Sequence, residues 1–294
     1  MNRSLLTTLS VLTLTLFGMA QNMSTTWKHG SDRTKCEDLQ ITSSDYEIAR
    51  SEQEFSVDLK DASQLNVEGS KNGGIYVSGW DQPSYKVTAC KAAFAESDAA
   101  AKQILAGVTV GRNGASLTTS GPDTKYWVVN FIIRVPRNGD LTASTYNGPV
   151  DAREVQGKLN LRSHNGPVSI KHCTGDVVGE TQNGPVSFSG RSGNVDLTTQ
   201  NGPVSVDLEA AQWTGAISAR TTDGPVSLNV PDNFESAFLV EGGYGPMSCS
   251  GSICGKTIKT NQRGNRRIEF GDSPKVKAST HNGPVSIGNL RGDI

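Results

Sequence analysis

Residues 147–204 read NGPVDAREVQGKLNLRSHNGPVSIKHCTGDVVGETQNGPVSFSGRSGNVDLTTQNGPV, so the tetrapeptide Asn-Gly-Pro-Val begins at Asn147, Asn165, Asn183 and Asn201, always at the same interval. It returns as Asp223-Gly224-Pro225-Val226, Tyr244-Gly245-Pro246-Met247 and Asn282-Gly283-Pro284-Val285, at slightly wider spacings of which the last is close to two periods. In the regular units a second glycine follows halfway to the next corner, at Gly157, Gly175 and Gly193. A fixed period of this length marks stacked supersecondary units, and two glycines per unit imply two corners per coil.

Between the corners apolar and polar residues alternate, as in Leu159-Asn160-Leu161, Val195-Asp196-Leu197 and Val204-Ser205-Val206. That is the period of a strand. Asn-Gly between strands ordinarily builds a two-residue hairpin. Here the following proline lacks the N–H that the hairpin needs, so the corner is expected to lead into the next coil of a parallel stack. The predicted fold is all-β, a parallel β-solenoid (β-helix) with coils of about 18–22 residues. Its inward columns run through Val150, Val168, Val186 and Val204, then Val226, Met247 and Val285 in chain order. The parity of the second strand carries an inner hydroxyl ladder through Thr145, Ser163, Thr181, Thr199, Thr221 and Thr280.

At the corners Asn147, Asn165, Asn183, Asn201, Asp223 and Asn282 are expected to stack as a structural ladder, in which identical amides satisfy one another. The column just before them points outward. Tyr146, His164, Gln182, Gln200, Tyr244 and His281 are assigned to it as a candidate binding strip, because these side chains stack on or hydrogen-bond to a glycan or a peptide.

Composition agrees with a thin core. Of 294 residues 35% are hydrophobic, only 6% aromatic, and 32 are glycine. A formal net charge of −1 supplies no basic field for nucleic acid. Residues 1–20 have the pattern of a signal peptide: Arg3, an apolar stretch from Leu5 to Phe17, and small residues before cleavage near Ala20-Gln21. No other stretch is long and apolar enough to span a bilayer, so no transmembrane anchor and an extracytoplasmic location (periplasm, cell surface or secreted) are expected. Residues 21–59 read as a lead-in and 60–294 as the repeat domain, irregular over 60–140 and regular over 141–294. Within the irregular part Leu65 to Val77 has the strand–corner–strand grammar, Trp127 to Pro136 reads as a buried strand, and Ala92 to Ala106 as one short helix with Phe94, Ala101 and Leu105 near one face.

Three stretches carry a resemblance. They are Asn72-Gly73-Gly74-Ile75-Tyr76-Val77-Ser78-Gly79-Trp80-Asp81, Ile133-Arg134-Val135-Pro136-Arg137-Asn138-Gly139, and the Asn-Gly-Pro-Val series. Together they resemble the bacterial putative-adhesin family of β-solenoid proteins, described as DUF4097-like, over about residues 60–294. The resemblance implies an adhesin-like role at the cell surface or envelope and brings no catalytic motif with it.

A parallel β-helix also supports polysaccharide lyases and hydrolases, which need carboxylates close together. In the register of the repeat no column of the regular array pairs two acids: Asp176 stacks beside Lys158 and Asn194, Asp196 beside Val178 and Ser218, and Glu180 between Arg162 and Thr198. Asp232, Glu235 and Glu241 fall in irregular stretches where they can still converge. No metal or cofactor is expected, since His164 and His281 lie several coils apart. Arg291-Gly292-Asp293 is explained by the repeat, being the half-coil equivalent of Thr174-Gly175-Asp176. Five cysteines leave at least one unpaired. Cys173 shares the position of Val155 and Trp213 and reads as a buried thiol, Cys249 and Cys254 can form a small clip, and Cys36 and Cys90 can pair across the N-terminal region.

The expected function is noncatalytic: an exported surface or envelope protein presenting a repetitive face to an envelope glycan or protein. The alternatives are a carbohydrate-active β-helix enzyme, and an envelope-stress or assembly component docking through a solenoid end. The open end at Ile294 makes self-association through solenoid ends the corresponding expectation.

Overall fold

Because every regular coil supplies two short alternating strands, the chain builds two long sheets back to back, with the valine, leucine and isoleucine columns between them. The computed structural model describes residues 23–262 and 265–290. The segment expected to be a signal peptide, its expected cleavage point, Arg291-Gly292-Asp293 and Ile294 lie outside the described residues.

The N-terminal strands are β1 (Met23–Trp27), β2 (Leu39–Ser43), β3 (Glu47–Asp58), β4 (Gln64–Glu68), β5 (Ile75–Trp80) and β6 (Ser84–Ala95). Helix α1 (Asp98–Ala106) follows, then β7 (Thr109–Asn113), β8 (Ser116–Ser120) and β9 (Trp127–Pro136). The regular coils contribute β10 (Asp140–Thr145), β11 (Val150–Arg153), β12 (Leu159–Ser163), β13 (Val168–Lys171), β14 (Asp176–Asn183), β15 (Val186–Gly190), β16 (Asn194–Asn201), β17 (Val204–Leu208), β18 (Ile217–Asp223) and β19 (Val226–Val230). The far end comprises β20 (Phe238–Gly242), β21 (Met247–Cys249), β22 (Ile258–Gln262), β23 (Asn265–Phe270), β24 (Val276–Asn282) and β25 (Val285–Asn289).

One sheet, here sheet I, has the order β22-β23-β20-β24-β18-β16-β14-β12-β10-β4-β8-β7; sheet II has the order β21-β25-β19-β17-β15-β13-β11-β5-β9-β6-β3. In the regular array the register is parallel and in phase with the repeat, with Val168 beside Val186 and Val177 beside Val195. The inward residues of the parallel coils are buried in both sheets, from Leu65 and Ile75 through to Val285 and Ile287. At the ~4.8 Å strand spacing of a sheet, the eleven strands of sheet II extend about 48 Å.

Spatial order departs from chain order at both ends. The coil of β24 and β25 lies between β18–β19 and β20–β21, so the inward column reads Val226, Val285, Met247 and not the chain order expected. At the other end β4 and β5 lie between β8–β9 and β10–β11. Both sheets end in antiparallel strands at the N-terminal side, β3–β6–β9 and β7–β8; at the far side sheet I ends in antiparallel β20–β23–β22 and sheet II in the short parallel edge strand β21. The expectation of an open C-terminal edge is thus corrected: β25 is bonded on both sides, to β19 and β21.

The sequence also explains which coil sits where. An interior coil must match a neighbour on each side, and 276–289 carries the full set of Thr280, Asn282, Gly283, Pro284, Val285 and Ser286. The coil 238–249 has Gly242, Tyr244 and Met247 in the places of threonine, asparagine and valine, and matches on one side only. In place of a further hydroxyl, the Arg266 guanidinium donates to the Gly245 carbonyl at 2.7 Å.

The helix expected over Ala92 to Ala106 begins at Asp98; residues 84–95 are strand β6. The odd positions of that strand, Tyr85, Val87 and Ala89, face the solenoid core, and its even positions Cys90, Ala92 and Phe94 face a second core with Leu39, Ile41, Val128 and Ile132. A strand buried on both faces has no alternation to read, which is why its apolar run imitates a helix. The helix proper starts where the Ser97 hydroxyl accepts from the Ala100 N–H at 3.3 Å.

The second core is made by the β1–β2 hairpin lying on the outer face of sheet II, with Trp27 edge-on to Tyr76 at 4.7 Å between ring centroids. Cys36 is bonded to Cys90, with Cα atoms 5.4 Å apart and a sequence separation of 54. Closing a loop of that length removes about 4 kcal/mol of freedom from the unfolded chain. Cys249 is bonded to Cys254, and Cys173 is a buried free thiol.

Burial pushes the Cys173 thiol up to about 11. The unfolded thiol ionises near ~8.5, so this group leaves stability intact below that pH and erodes it as pH rises toward 11. Alkylation at pH 8 should label no cysteine in the native protein, one after denaturation, and all five after reduction. Labelling of Cys173 without denaturation would contradict the buried position.

Candidate functional site

The corner column arises because each coil turns at Gly-Pro, and a glycine is needed there by close approach. A Cβ built on Gly202 would overlap the Gly184 carbonyl oxygen of the coil beneath. That oxygen is also the acceptor of the inner ladder: Thr199 Oγ1 donates to Gly184 O at 2.9 Å, as Thr181 does to Gly166 and Thr280 to Gly224. The hydroxyls bond backbone of the adjacent coil and stay buried.

Outside them run the amides. Asn147, Asn165, Asn183 and Asn201 each donate Nδ2 to the side-chain oxygen of the preceding rung, Asn72 for the first, at 2.8 to 3.2 Å. Asn282 donates to Asp223 at 2.8 Å. Asp223 has no amide N–H to give to Asn201 Oδ1, so one rung is missing. Replacing it by asparagine keeps the acceptor for Asn282 and restores the donor. Asp223→Asn should therefore raise stability by about 0.5–1.5 kcal/mol, read as a thermal midpoint higher by ~1–6 °C; an unchanged or lower midpoint would mean the rung contributes nothing.

One step further out, Tyr146 and His164 stack with ring centroids 4.3 Å apart and planes 19° from parallel. Gln182 donates to Gln200 at 3.2 Å. Thr222 comes next, then His281, because β24 is the neighbour of β18. Tyr146 is 51% exposed and Tyr244 67%. Tyr244 does not hold the place assigned to it. Gly242 aligns with Thr280, so Gly243 falls beside His281 and Tyr244 beside Asn282, at the end of the amide ladder. Its ring reaches back to His281, edge-on at 5.5 Å. His164 and His281 are four coils apart, with no group between them that would hold a metal among the described residues.

Several acids of the regular coils are engaged by one cation each. Glu180 pairs with Arg162 at 3.3 Å, Asp196 with Arg220 at 3.0 Å and Asp151 with Arg153 at 2.8 Å. Of the acids left open in the irregular stretches, Asp232 accepts from Asn289 and Ser252, Glu235 accepts from Gln212, and Glu241 lies opposite Arg267. They do not converge. Among the described residues no group of three or more His, Cys, Asp or Glu could hold a metal ion, and no helix is long and apolar enough to cross a membrane.

A recess of about 560 Å³ on the outer face of sheet II was not foreseen from the sequence. Its wall is Glu209, with a side chain only 15% exposed, which His172 Nδ1 approaches at 2.9 Å and Arg191 Nε at 3.8 Å. Arg191 and Glu209 are one coil apart, and the register that set Glu180 beside Arg162 would have paired them. His172 carried no such signal, since it reaches Glu209 across two coils from a left-handed backbone position, φ 51°.

No family profile and no curated protein matches the sequence. Solved structures similar to this chain include a putative cell adhesion protein of Clostridium sporogenes, 13% identical, covering 82% of this chain and 100% of that one at a TM-score of 0.36. A putative adhesin of Bacteroides fragilis is 15% identical, over 82% and 97% of the two chains, at 0.38. Another, of Parabacteroides merdae, is 12% identical over 81% and 95%, at 0.34.

Proposed function

We propose that this protein is an exported, noncatalytic β-solenoid that holds an envelope glycan or protein along its corner column, in the manner of an adhesin. The observation that carries this reading is the outward row Tyr146, His164, Gln182 and Gln200, one side chain per coil at the ~4.8 Å sheet spacing, continued by Thr222 and His281. Tyr146 stacks on His164 and Gln182 bonds Gln200, and Tyr146, Gln182 and Gln200 are exposed. Such a row supports ring stacking and hydrogen bonding to a ligand lying along the rod. Its geometry is held by the amide and hydroxyl ladders beneath it, so it costs little to order on binding.

The test is retention of the purified protein on arrayed envelope glycans and proteins, with reaction products assayed in parallel. Changing Tyr146, His164, Gln182 and Gln200 together to alanine should abolish retention on at least one ligand. If no ligand is lost, the column is structural only. Turnover of an arrayed glycan would replace the binding reading by that of a carbohydrate-active enzyme.

A further inference from the structure

The recess beside Glu209 lies on a different part of the coil from the corner column: between His164 and Lys171 at its rim the chain makes a whole corner and the strand β13. Its floor is made of small hydroxyls, Ser187 and Ser189 on β15, and the outer face of sheet II continues past it through Ser205 and Ser227, which are themselves hydrogen-bonded at 3.0 Å. Its volume falls within the ~300–1,000 Å³ of small-molecule sites.

The polar groups around this floor are sorted by availability. Glu209 faces His172 at 2.9 Å and Arg191 at 3.8 Å and draws both toward the recess. Arg191, with a side chain 77% exposed, keeps its terminal N–H groups free for a ligand. Asp207 gives one oxygen to Asn229 Nδ2 at 2.6 Å and keeps the other as an open acceptor. Lys171 and Arg191 balance the formal charges of Asp207 and Glu209. A ligand bearing a carboxylate or an ammonium would meet a like charge on one wall. A hydroxyl would be satisfied on both, accepting from Arg191 and donating to Asp207. Leu290, fixed by its N–H to the Val230 carbonyl at 2.8 Å, adds an apolar wall for a C–H surface.

We propose that this recess binds one residue of a neutral polysaccharide, whose chain runs on over the serine row of sheet II. Donors and acceptors alternate around a small-residue floor, which is the complement of a pyranose ring with adjacent hydroxyls, and the coil repeat offers the same floor to the next residue. The site stands independently of the corner column.

Calorimetric titration of the purified protein with cellohexaose, maltohexaose and mannohexaose, and with hexagalacturonate as the charged counterpart, tests it. At least one neutral hexasaccharide should bind saturably, at least tenfold tighter than hexagalacturonate. Arg191→Ala and Asp207→Ala should each weaken that binding tenfold or more, and Lys102→Ala on the exposed helix α1 should leave it unchanged; Tyr146→Ala with His164→Ala is measured alongside to separate the two sites. Thermal midpoints report whether the variants fold, and Thr174→Trp at the half-exposed rim, which blocks the recess without touching its charges, should also abolish binding. Absence of binding by all three neutral sugars, tighter binding of hexagalacturonate, or binding that survives the recess variants would overturn the proposal. Loss only in the Tyr146 and His164 variant would transfer the ligand to the corner column, refuting this site while supporting the other.

Discussion

A chain terminated after Asp272 is expected to lose the whole far end of the rod, and not merely its last coil. The segment removed contains β24 and β25, which fill the slot between β18–β19 and β20–β21. Four buried apolar side chains go with it, Val276, Ala278, Val285 and Ile287, and fully burying a valine or isoleucine is worth ~1.5–3 kcal/mol. Parallel pairing is lost on both flanks at once. β20 would keep only its antiparallel partner β23, and β21 would have no partner in its sheet. An isolated hairpin is marginal in water, so the strands that remain beyond the slot have nothing to hold them. Hydrogen exchange should show amides of 238–249 and 258–270 at unfolded rates, while those of β12–β17 keep their protection. Native protection across 238–270 in the shortened chain would show that these strands bind the rod without the inserted coil.

The regular coils were legible because their information is periodic. Once the Asn-Gly-Pro-Val copies are aligned on their own period, the buried parity of Val186, Phe188 and Val204, the inner hydroxyls and the amide stack all follow from strand alternation alone. The same register assigned Glu180 to Arg162. It failed wherever the neighbour in space is not the neighbour in chain. The column order Val226, Met247, Val285 rests on order along the chain being order along the rod, whereas Gly242, Tyr244 and Met247 suit a terminal coil and the full corner set of 276–289 an interior one. Tyr244 stands directly before Gly245, at the asparagine position, one place beyond the column of Tyr146. The strand β6 escaped because burial on both faces erases alternation, and a covering hairpin much earlier in the chain leaves no local trace. The recess needed His172 and Glu209 from different columns, and single-column reading cannot bring them together.

The other large effect concerns Gly202, where one methyl group tests how tightly two coils are stacked. Its Cβ would fall on the Gly184 carbonyl oxygen, which is backbone and held in the corner of the next coil, so the clash cannot be relieved by rotating a side chain. The two coils must separate locally. That separation strains three contacts: the Thr199 hydroxyl bond to the same Gly184 oxygen at 2.9 Å, the Asn201 bond to Asn183 at 2.8 Å, and the backbone bond from Gly184 N to Asn201 O at 3.0 Å. Each is worth ~0.5–1.5 kcal/mol net, and overpacking itself costs ~1–3 kcal/mol. Gly202→Ala should therefore destabilise by at least ~3 kcal/mol in denaturant unfolding. Gly255→Ala, at a position where a Cβ meets nothing within 4 Å, should change stability by less than ~0.5 kcal/mol. Thr199→Val removes the hydroxyl that shares the Gly184 oxygen and should cost ~1–3 kcal/mol by itself, since it leaves that carbonyl without its partner. In the double variant part of this loss has already occurred, so the two costs should sum to more than the measured total by ~0.5–3 kcal/mol. Strict additivity would mean that alanine at 202 is accommodated without moving the Gly184 carbonyl, and that glycine is required at this corner for some reason other than the approach of adjacent coils.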